Sequence, residues 1–434
     1  MGVRVKTVDQ PEQPLATVDI SVPPGCKRTE AGVIPTDWEV RPLFEVLRPA
    51  TGQVDPRREP FKSMVLVAPD HIESGTGRLL ARVTAEEQRA ISGKYVFGPG
   101  DIVYSKIRPY LRKAMLSDFG GLCSADMYPL TPAAGVSSGF MHGVLLSYPF
   151  TVFVDAASAR SGIPKVNRED LAGFRVGIPS TYLEQSAIAE ALSDADGLIG
   201  ALEALIAKKR AIKQAAMQQL LTAKTRLPGF DDAWEDAALG QLGECIIGLT
   251  YEPKDVVEDG LLVLRASNIR DGRLVFDDNV YVDKAVHPHL LTRERDVLIC
   301  VRNGSRRLIG KCAVIDESTA GATFGAFMTV YRTKHSKFIF QAFQADEIQQ
   351  QIRERLGATI NQITNKDLNS FRVKLPSGRE QAAITTVLSD MDAEIAALEQ
   401  RLNKTRAIKQ GMMQQLLTGR IRLVEPNRES EAKC

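Results

Sequence analysis

Two stretches decide how the rest of this chain is read: RAIKQAAMQQLLT at residues 210–222 and RAIKQGMMQQLLT at residues 406–418. They belong to a longer repeat. Residues 184–227 align with residues 380–423 without a gap, at a constant offset of 196, with 26 identities in 44 positions. The same offset links the two tryptophans, Trp38 and Trp234, and an offset of 197 links LAGFRVGIPS to LNSFRVKLPS just ahead of the repeated block. Solenoid repeats recur every ~20–50 residues, so a period this long is a duplicated domain. The 434 residues are therefore two tandem units, each a divergent body followed by a well-preserved tail.

The tail reads as a long helix. Ile188, Leu192, Ala195, Ile199, Leu202 and Ile206 step by fours and threes, which is a heptad seam, and Ile384, Leu388, Met391, Ile395, Leu398 and Leu402 reproduce it. Each copy opens on a capping-box pattern, Thr181 to Glu184 and Ser377 to Glu380, and Pro228 and Pro426 follow the far ends. About 40 helical residues span ~60 Å and cannot bury an apolar stripe alone. The partner of matching period is the other copy. Charge sets the direction. Acidic residues (Glu184, Glu190, Asp194, Asp196, Glu203) fill the first half of helix one, and basic residues (Lys208, Lys209, Arg210, Lys213, Lys224, Arg226) fill the second. Helix two repeats the pattern from Glu380 to Arg422. Parallel packing would oppose like charges, so the pattern predicts an intramolecular antiparallel coiled coil with a pseudo-two-fold axis.

The bodies mix short β-rich runs with turns. KSMVLVAP, GDIVYSKI, DVLICVR, KCAVID and FMTVYRT read as strands, whereas TVFVDAASAR and FQAFQADEIQQQIRERL read as helices. The expected class is α+β, with two bodies of similar fold and different surfaces. Scaffold residues match closely while the bodies diverge, as two surfaces recognising different things would. The candidate recognition residues lie in loops at equivalent points of both bodies. In body one they are Lys106, Arg108, Tyr110, Arg112 and Lys113, with Lys165, Asn167 and Arg168 in a second loop. In body two they are Arg302, Asn303, Ser305, Arg306, Arg307 and Lys311, with Asn361, Gln362, Asn365 and Lys366 in the second loop. Arg265, Asn268 and Arg270 in RASNIRDGR are expected to be exposed as well. These are residue types that grip phosphates and read base edges.

Composition narrows the chemistry. Six cysteines are scattered without a C-x-x-C pair, and the five histidines stand apart from them, so neither a zinc site nor a disulfide framework is expected. The N-terminus lacks an apolar h-region, and Lys6 breaks the myristoylation pattern; no apolar run approaches the ~18 residues of a membrane span. A reduced, cytoplasmic protein is the expectation. The net charge of +2 is uninformative about nucleic acid. No G-x-x-x-x-G-K-[ST], G-x-G-x-x-G, N-P-P-aromatic, H-E-x-x-H or G-x-S-x-G motif is present, and Asp101 and Asp296, at one point of both bodies, read as strand-start residues. The chain is expected to do no covalent chemistry and to hold no cofactor or metal.

TEAGVIPTDWEVRPLFEVL, TRLPGFDDAWEDAALGQLGE and the paired RAIKQ…MQQLLT helices together resemble the specificity subunit of type I restriction–modification systems, over about residues 27–424. The resemblance implies the following organisation: a flexible leader (1–30), target recognition domain 1 (31–180), conserved helical region 1 (181–227), target recognition domain 2 (228–376), conserved helical region 2 (377–424) and a C-terminal tail (425–434). Each recognition domain would read one half of a bipartite, asymmetric site in double-stranded DNA, and the helices would set the spacer. The helices would also dock two modification subunits, through Met217, Gln218 and Gln219 and their copies Met413, Gln414 and Gln415. Those subunits would supply S-adenosylmethionine and adenine N6 methylation, and two restriction subunits would add ATP- and Mg-dependent translocation and cleavage. A bipartite DNA-binding scaffold or regulator outside restriction, and a coiled-coil interaction protein that binds no DNA, are the alternatives. If the helices are a ruler, deleting one heptad from each should shorten the spacer found by methylation sequencing of the host. An unchanged spacer would contradict the ruler.

Overall fold

A computed structural model describes residues 22–158, 164–356 and 361–424. The chain forms two compact units, one of residues 1–201 with 402–434 and the other of residues 202–401. Each unit holds one body together with a part of both long helices, Tyr182–Leu220 and Gly378–Leu416. The expected C-terminal tail and residues 1–21 of the expected leader lie outside the described residues. The leader is shorter than expected. Cys26–Thr29 already pairs antiparallel with Gly32–Pro35, from Cys26 opposite Pro35 to Thr29 opposite Gly32.

In the first unit the body is closed by its own ends. Glu39–Pro42 pairs antiparallel with Arg175–Ile178, so the chain enters and leaves the body on neighbouring strands. Between them lies an antiparallel sheet in the order Leu47–Pro49, Met127–Pro132, Ile102–Ser105, Ala114–Leu116, and a smaller sheet of Leu66–Val67, Gly121–Cys123 and Tyr95–Phe97. The run KSMVLVAP keeps only Leu66–Val67 as strand, because Phe61–Ser63 turns as a 3-10 helix. Helices Ser138–Leu145 and Tyr148–Ser158 bury Phe140, Met141, Val144, Phe150 and Val154 in the core with Trp38 and Tyr104. No single described helix is long and apolar enough to cross a membrane.

The second unit repeats this order. Glu235–Ala238 pairs with Arg372–Leu375, and the central sheet runs Gly243–Ile247, Met328–Thr333, Val297–Cys300, Cys312–Val314. The helix expected across FQAFQADEIQQQIRERL is two, Ser336–Gln344 and Asp346–Arg355, because Ala345 between them is extended at φ −82°, ψ 155°. That break lets both helices bury their apolar faces, Phe338, Ile339 and Phe343 on one and Ile348 and Ile352 on the other.

Within each unit the two long helices run antiparallel. In the first, Lys409 Nζ meets Asp196 at 2.5 Å while Arg422 Nη2 meets Glu184 at 2.7 Å, so one index rises as the other falls. In the second, Lys213 meets Asp392 and Arg226 meets Glu380, each at 2.6 Å. Lys213 and Lys409 are copies of one another, as are Asp196 and Asp392, Arg226 and Arg422, and Glu184 and Glu380. The repeat is therefore used reciprocally: each copy donates its base to the other copy's acid.

Two sequence expectations change here. The reciprocal arm of the capping box is not made by Glu184 or Glu380. Thr181 does accept the Glu184 amide at 3.3 Å, but both glutamate side chains are buried against arginine, and Glu380 also accepts Trp234 Nε1 at 2.9 Å. The seam is also not purely helix on helix. Ile188 and Leu192 sink into the core of body one, Ile384 and Leu388 into that of body two. Ile199, Leu202, Ile206, Ile395 and Leu402 are buried, and Leu398 is only half-buried.

Arg422 also chelates Asp37 at 2.9 and 2.8 Å, and this hydrogen-bonded guanidinium holds the Asp37 carboxyl below the usual aspartate value. Arg422→Ala would leave Glu184 buried without its counter-ion, at a cost of ~3–5 kcal/mol. The pH dependence has a definite sign. A depressed carboxylate stabilises fully above the unfolded aspartate value of about 3.9 and loses that contribution as pH falls through its folded value. The variant should thus lose the Asp37 share of its acid sensitivity, measured as urea midpoint from pH 7 down to pH 3.

Candidate nucleic-acid interface

Each body presents a loop between two central strands. In body one it runs from Ile102–Ser105 to Ala114–Leu116, in body two from Val297–Cys300 to Cys312–Val314. The second candidate loop is laced to the first by the same backbone bonds in both bodies. Arg108 N donates to Pro164 O at 2.8 Å and Val166 N to Lys106 O at 2.9 Å. Asn303 N donates to Asn361 O at 3.3 Å and Ile363 N to Val301 O at 2.8 Å. An isolated β-bridge adds Ile107 to Lys165, and Arg302 to Gln362. Loops read separately in the sequence thus make one surface per body.

In body one that surface is cationic. The Lys106 ammonium stands over the Tyr128 ring at 5.3 Å, and the Arg168 guanidinium lies 5.4 Å from the same ring. Burial lowers the Lys106 pKa, and the nearby Lys165 and Arg168 charges push it the same way. Cations that destabilise one another gain when an anion joins them, as a phosphate would. Arg108 and Arg112 both adopt left-handed backbone at φ 47° around the turn Pro109–Leu111, which carries the exposed Tyr110. For non-glycine residues such backbone is strained, and here it fixes where an exposed turn points.

Body two carries other side chains on the same frame. The Arg302 guanidinium lies over the Phe327 ring at 4.9 Å. Arg306 donates to Leu356 O at 2.7 Å, Ser305 N to Asn303 Oδ1 at 2.9 Å, and Asn361 Nδ2 to Gly304 O at 3.0 Å. Arg307 and Lys366 are exposed, Gln362 half-buried. Asp101 and Asp296 cap their strand entries, accepting from Gly98 N and Arg293 N at 2.8 Å each, and Asp296 also pairs with Arg332 at 2.7 Å.

Several sequence candidates are part of the frame instead. Lys113 Nζ donates to Pro69 O at 2.6 Å, and its structural counterpart Lys311 donates to Ala266 O at 3.3 Å, each at the first residue of a 3-10 turn. Asn167 caps the helix Arg168–Ala172 through the Asp170 amide at 2.8 Å. Asn365 bridges Thr329 and Cys245 O, both at 3.1 Å, while Arg168 reaches Ala50 O at 2.6 Å. RASNIRDGR is not an exposed reader as a whole. Asn268 is 0% exposed. It accepts Arg265 N at 3.0 Å and donates to Val275 O and Asn279 Oδ1 at 3.1 Å each. Arg265 pairs with Asp278 at 2.9 Å, and the exposed Arg270 with Asp277 at 3.0 Å. Phe327, which is exposed, was missed, because a strand-type residue in a strand-type run carries no signal of exposure; Tyr128 is buried, and the cations lie against it. The Cys245, Cys300 and Cys312 thiols are pushed up by burial to about 12, 11 and 12, so they stay protonated at neutral pH.

With this geometry in hand, the comparisons with known proteins are specific. The family model for the type I restriction modification DNA specificity domain matches residues 234–406. Residues 234–406 therefore carry a type I restriction modification DNA specificity domain. A relative, the EcoDI specificity subunit of Escherichia coli, is 35% identical over 35% of this chain, which spans about a third (34%) of that relative's length. The MjaVIII specificity subunit of Methanocaldococcus jannaschii is 21% identical over 91% of this chain and 95% of its own. A chain solved in a study of assembly and conformational transition of the type I R-M system superposes with a TM-score of 0.59 at 21% identity, covering 89% of this chain and 99% of that one. That likeness is one of fold. The region matched by the family model begins at Trp234 and takes in all of body two's candidate loops.

The frame and surface roles can be separated by variants. Asn268→Ala should destabilise the fold by ~2–3 kcal/mol, because buried donors and acceptors lose their partner. Lys165→Ala and Arg307→Ala, both exposed, should stay within ~0.5 kcal/mol of the parent. Urea unfolding of the three variants checks the assignment.

Proposed function

We propose that this chain is the DNA-reading specificity subunit of a type I restriction–modification complex, and that each body reads one half of a bipartite, asymmetric site. The observation that carries this reading is the pair of loop surfaces: the same backbone lacing in both bodies, with different side chains on it. Body one offers Lys106 against the Tyr128 ring and the exposed Lys165, with Arg108, Tyr110 and Arg112 on the strained turn. Body two offers Arg302, Ser305, Arg306, Arg307, Gln362 and Lys366. Cations supply affinity through phosphates, and the divergent residues supply base discrimination. The long helices set the spacer. Adenine N6 methylation with S-adenosylmethionine, and ATP- and Mg-dependent cleavage, belong to partner subunits in the cytoplasm.

A groove repeated in both units supports docking of two copies of one partner. In the first unit, Gln414, Leu417, Thr418 and Arg420 of the second helical region line it beside Arg175 and Val176. In the second, Leu221, Thr222 and Lys224 line it beside Arg372 and Val373. Leu221, Thr222 and Lys224 are the repeat copies of Leu417, Thr418 and Arg420. The duplicated phrase thus provides equivalent walls at two places, which suits two modification subunits. Gln218 hydrogen-bonds Asp346 at 2.5 Å and Met217 is buried, so of the docking residues expected from sequence these two serve unit two itself.

Lys224→Glu and Arg420→Glu reverse charge at exposed positions of the two grooves. Each single variant should reduce captured modification subunit from two per chain to one, and the double variant should abolish capture, with melting temperature held. Undiminished capture by the double variant would remove the grooves from the docking surface.

A further inference from the structure

The Arg302–Phe327 pair is built differently from the other cations of the interface. Its backbone is fixed: Val301 N and Arg302 N both donate to Phe327 O, at 3.0 and 3.1 Å, and Arg302 bridges to Gln362 across the loop pair. Phe327 is 53% exposed, a large apolar ring left uncovered beside a basic loop. The Arg302 guanidinium lies over that ring at 4.9 Å, and among the described residues no carboxylate pairs with it. Stacking on an aromatic face orients the planar fork while leaving its in-plane N–H donors open. By contrast, Arg265 and Arg270 are ion-paired, and Arg306 is tied to a carbonyl.

We infer that Arg302 is a specificity-determining residue, reading a guanine in the half-site of body two, with Phe327 as its positioning platform. The inference rests on the DNA-reading function proposed above. A flat, pre-oriented fork with paired donors matches the O6 and N7 acceptors that guanine presents in the major groove. A phosphate oxygen pair offers the same acceptor chemistry, without sequence information. The arrangement is private to body two. At the equivalent bridge body one has Ile107, and Asp126, whose carbonyl accepts the Lys106 amide at 3.0 Å, takes the place of Phe327. The consequence is therefore confined to one half-site.

The test uses the full chain assembled with its own modification subunit. The methylated motif is mapped by single-molecule sequencing for the parent, Arg302→Lys, Arg302→Ala and Phe327→Leu, and melting temperatures check folding. A parent that yields no bipartite motif would refute the DNA-reading function itself. Given a bipartite parent motif, Arg302→Lys keeps the charge and loses the fork. It should make one G·C position of one half-site degenerate, lowering discrimination there at least about tenfold, as loss of a bidentate base contact does. Arg302→Ala should do the same, Phe327→Leu should do so more weakly, and the other half-site should be unchanged. Replacing that guanine by 7-deazaguanine should weaken binding of the parent and leave Arg302→Ala unaffected. A motif unchanged in folded Arg302→Lys, with only a shallower salt dependence in Arg302→Ala, would assign Arg302 to a phosphate and overturn the inference. Uniform loss of methylation at all sites in the folded lysine variant would overturn it as well.

Discussion

Everything in this chain hangs on a carboxylate that each long helix hides near its own start. Glu184 and Glu380 are almost fully buried and cannot stay charged there alone, so each must be met by an arginine. The arginine that meets it comes from the far end of the other copy, Arg422 for Glu184 and Arg226 for Glu380. A shifted register would leave a charge stranded, so the pairing specifies alignment more than it supplies net stability. The lysine–aspartate pairs further along, Lys409 with Asp196 and Lys213 with Asp392, enforce the same register from a second point.

The same ends of the helices are also parts of the bodies' cores. Ile188 and Leu192 on one helix, and Leu416 and Leu417 on the other, are packed among Phe140, Leu145 and Leu146. Met217, Leu220 and Leu221 with Ile384 and Leu388 do the equivalent among Phe338, Phe343 and Ile348. Each loop surface is therefore carried on a sheet whose hydrophobic packing includes the helices. This fits two tails that share 26 of 44 positions while the loops diverge.

The repeat, the two helices and their direction were legible because periodicity and charge are properties of the residues themselves. The central strands were legible too, as were the helix at TVFVDAASAR and the strand-entry role of Asp101 and Asp296. What stayed hidden depends on partners distant in sequence. Lys113 and Lys311 look like phosphate-binding cations, but each is committed to a backbone carbonyl about 45 residues away, Pro69 O and Ala266 O. Glu184 and Glu380 look like capping residues because the local pattern is satisfied, and only the fold reveals the arginine. Asn268 sits in a polar, turn-like run, yet its amide fills a buried backbone corner. Whether a polar side chain faces water or a carbonyl is decided by topology, and topology leaves little mark on composition.

The strand pairs Glu39–Pro42 with Arg175–Ile178, and Glu235–Ala238 with Arg372–Leu375, bring the two ends of each body side by side. An element whose entry and exit are adjacent can be replaced as a block without disturbing what flanks it. The flanking segments are also the most alike parts of the chain. Interchangeability of the bodies is thus built into where the chain crosses in and out: a new body need only present one matching pair of edge strands and one apolar socket for the helix ends, and its loops are then free to carry any chemistry.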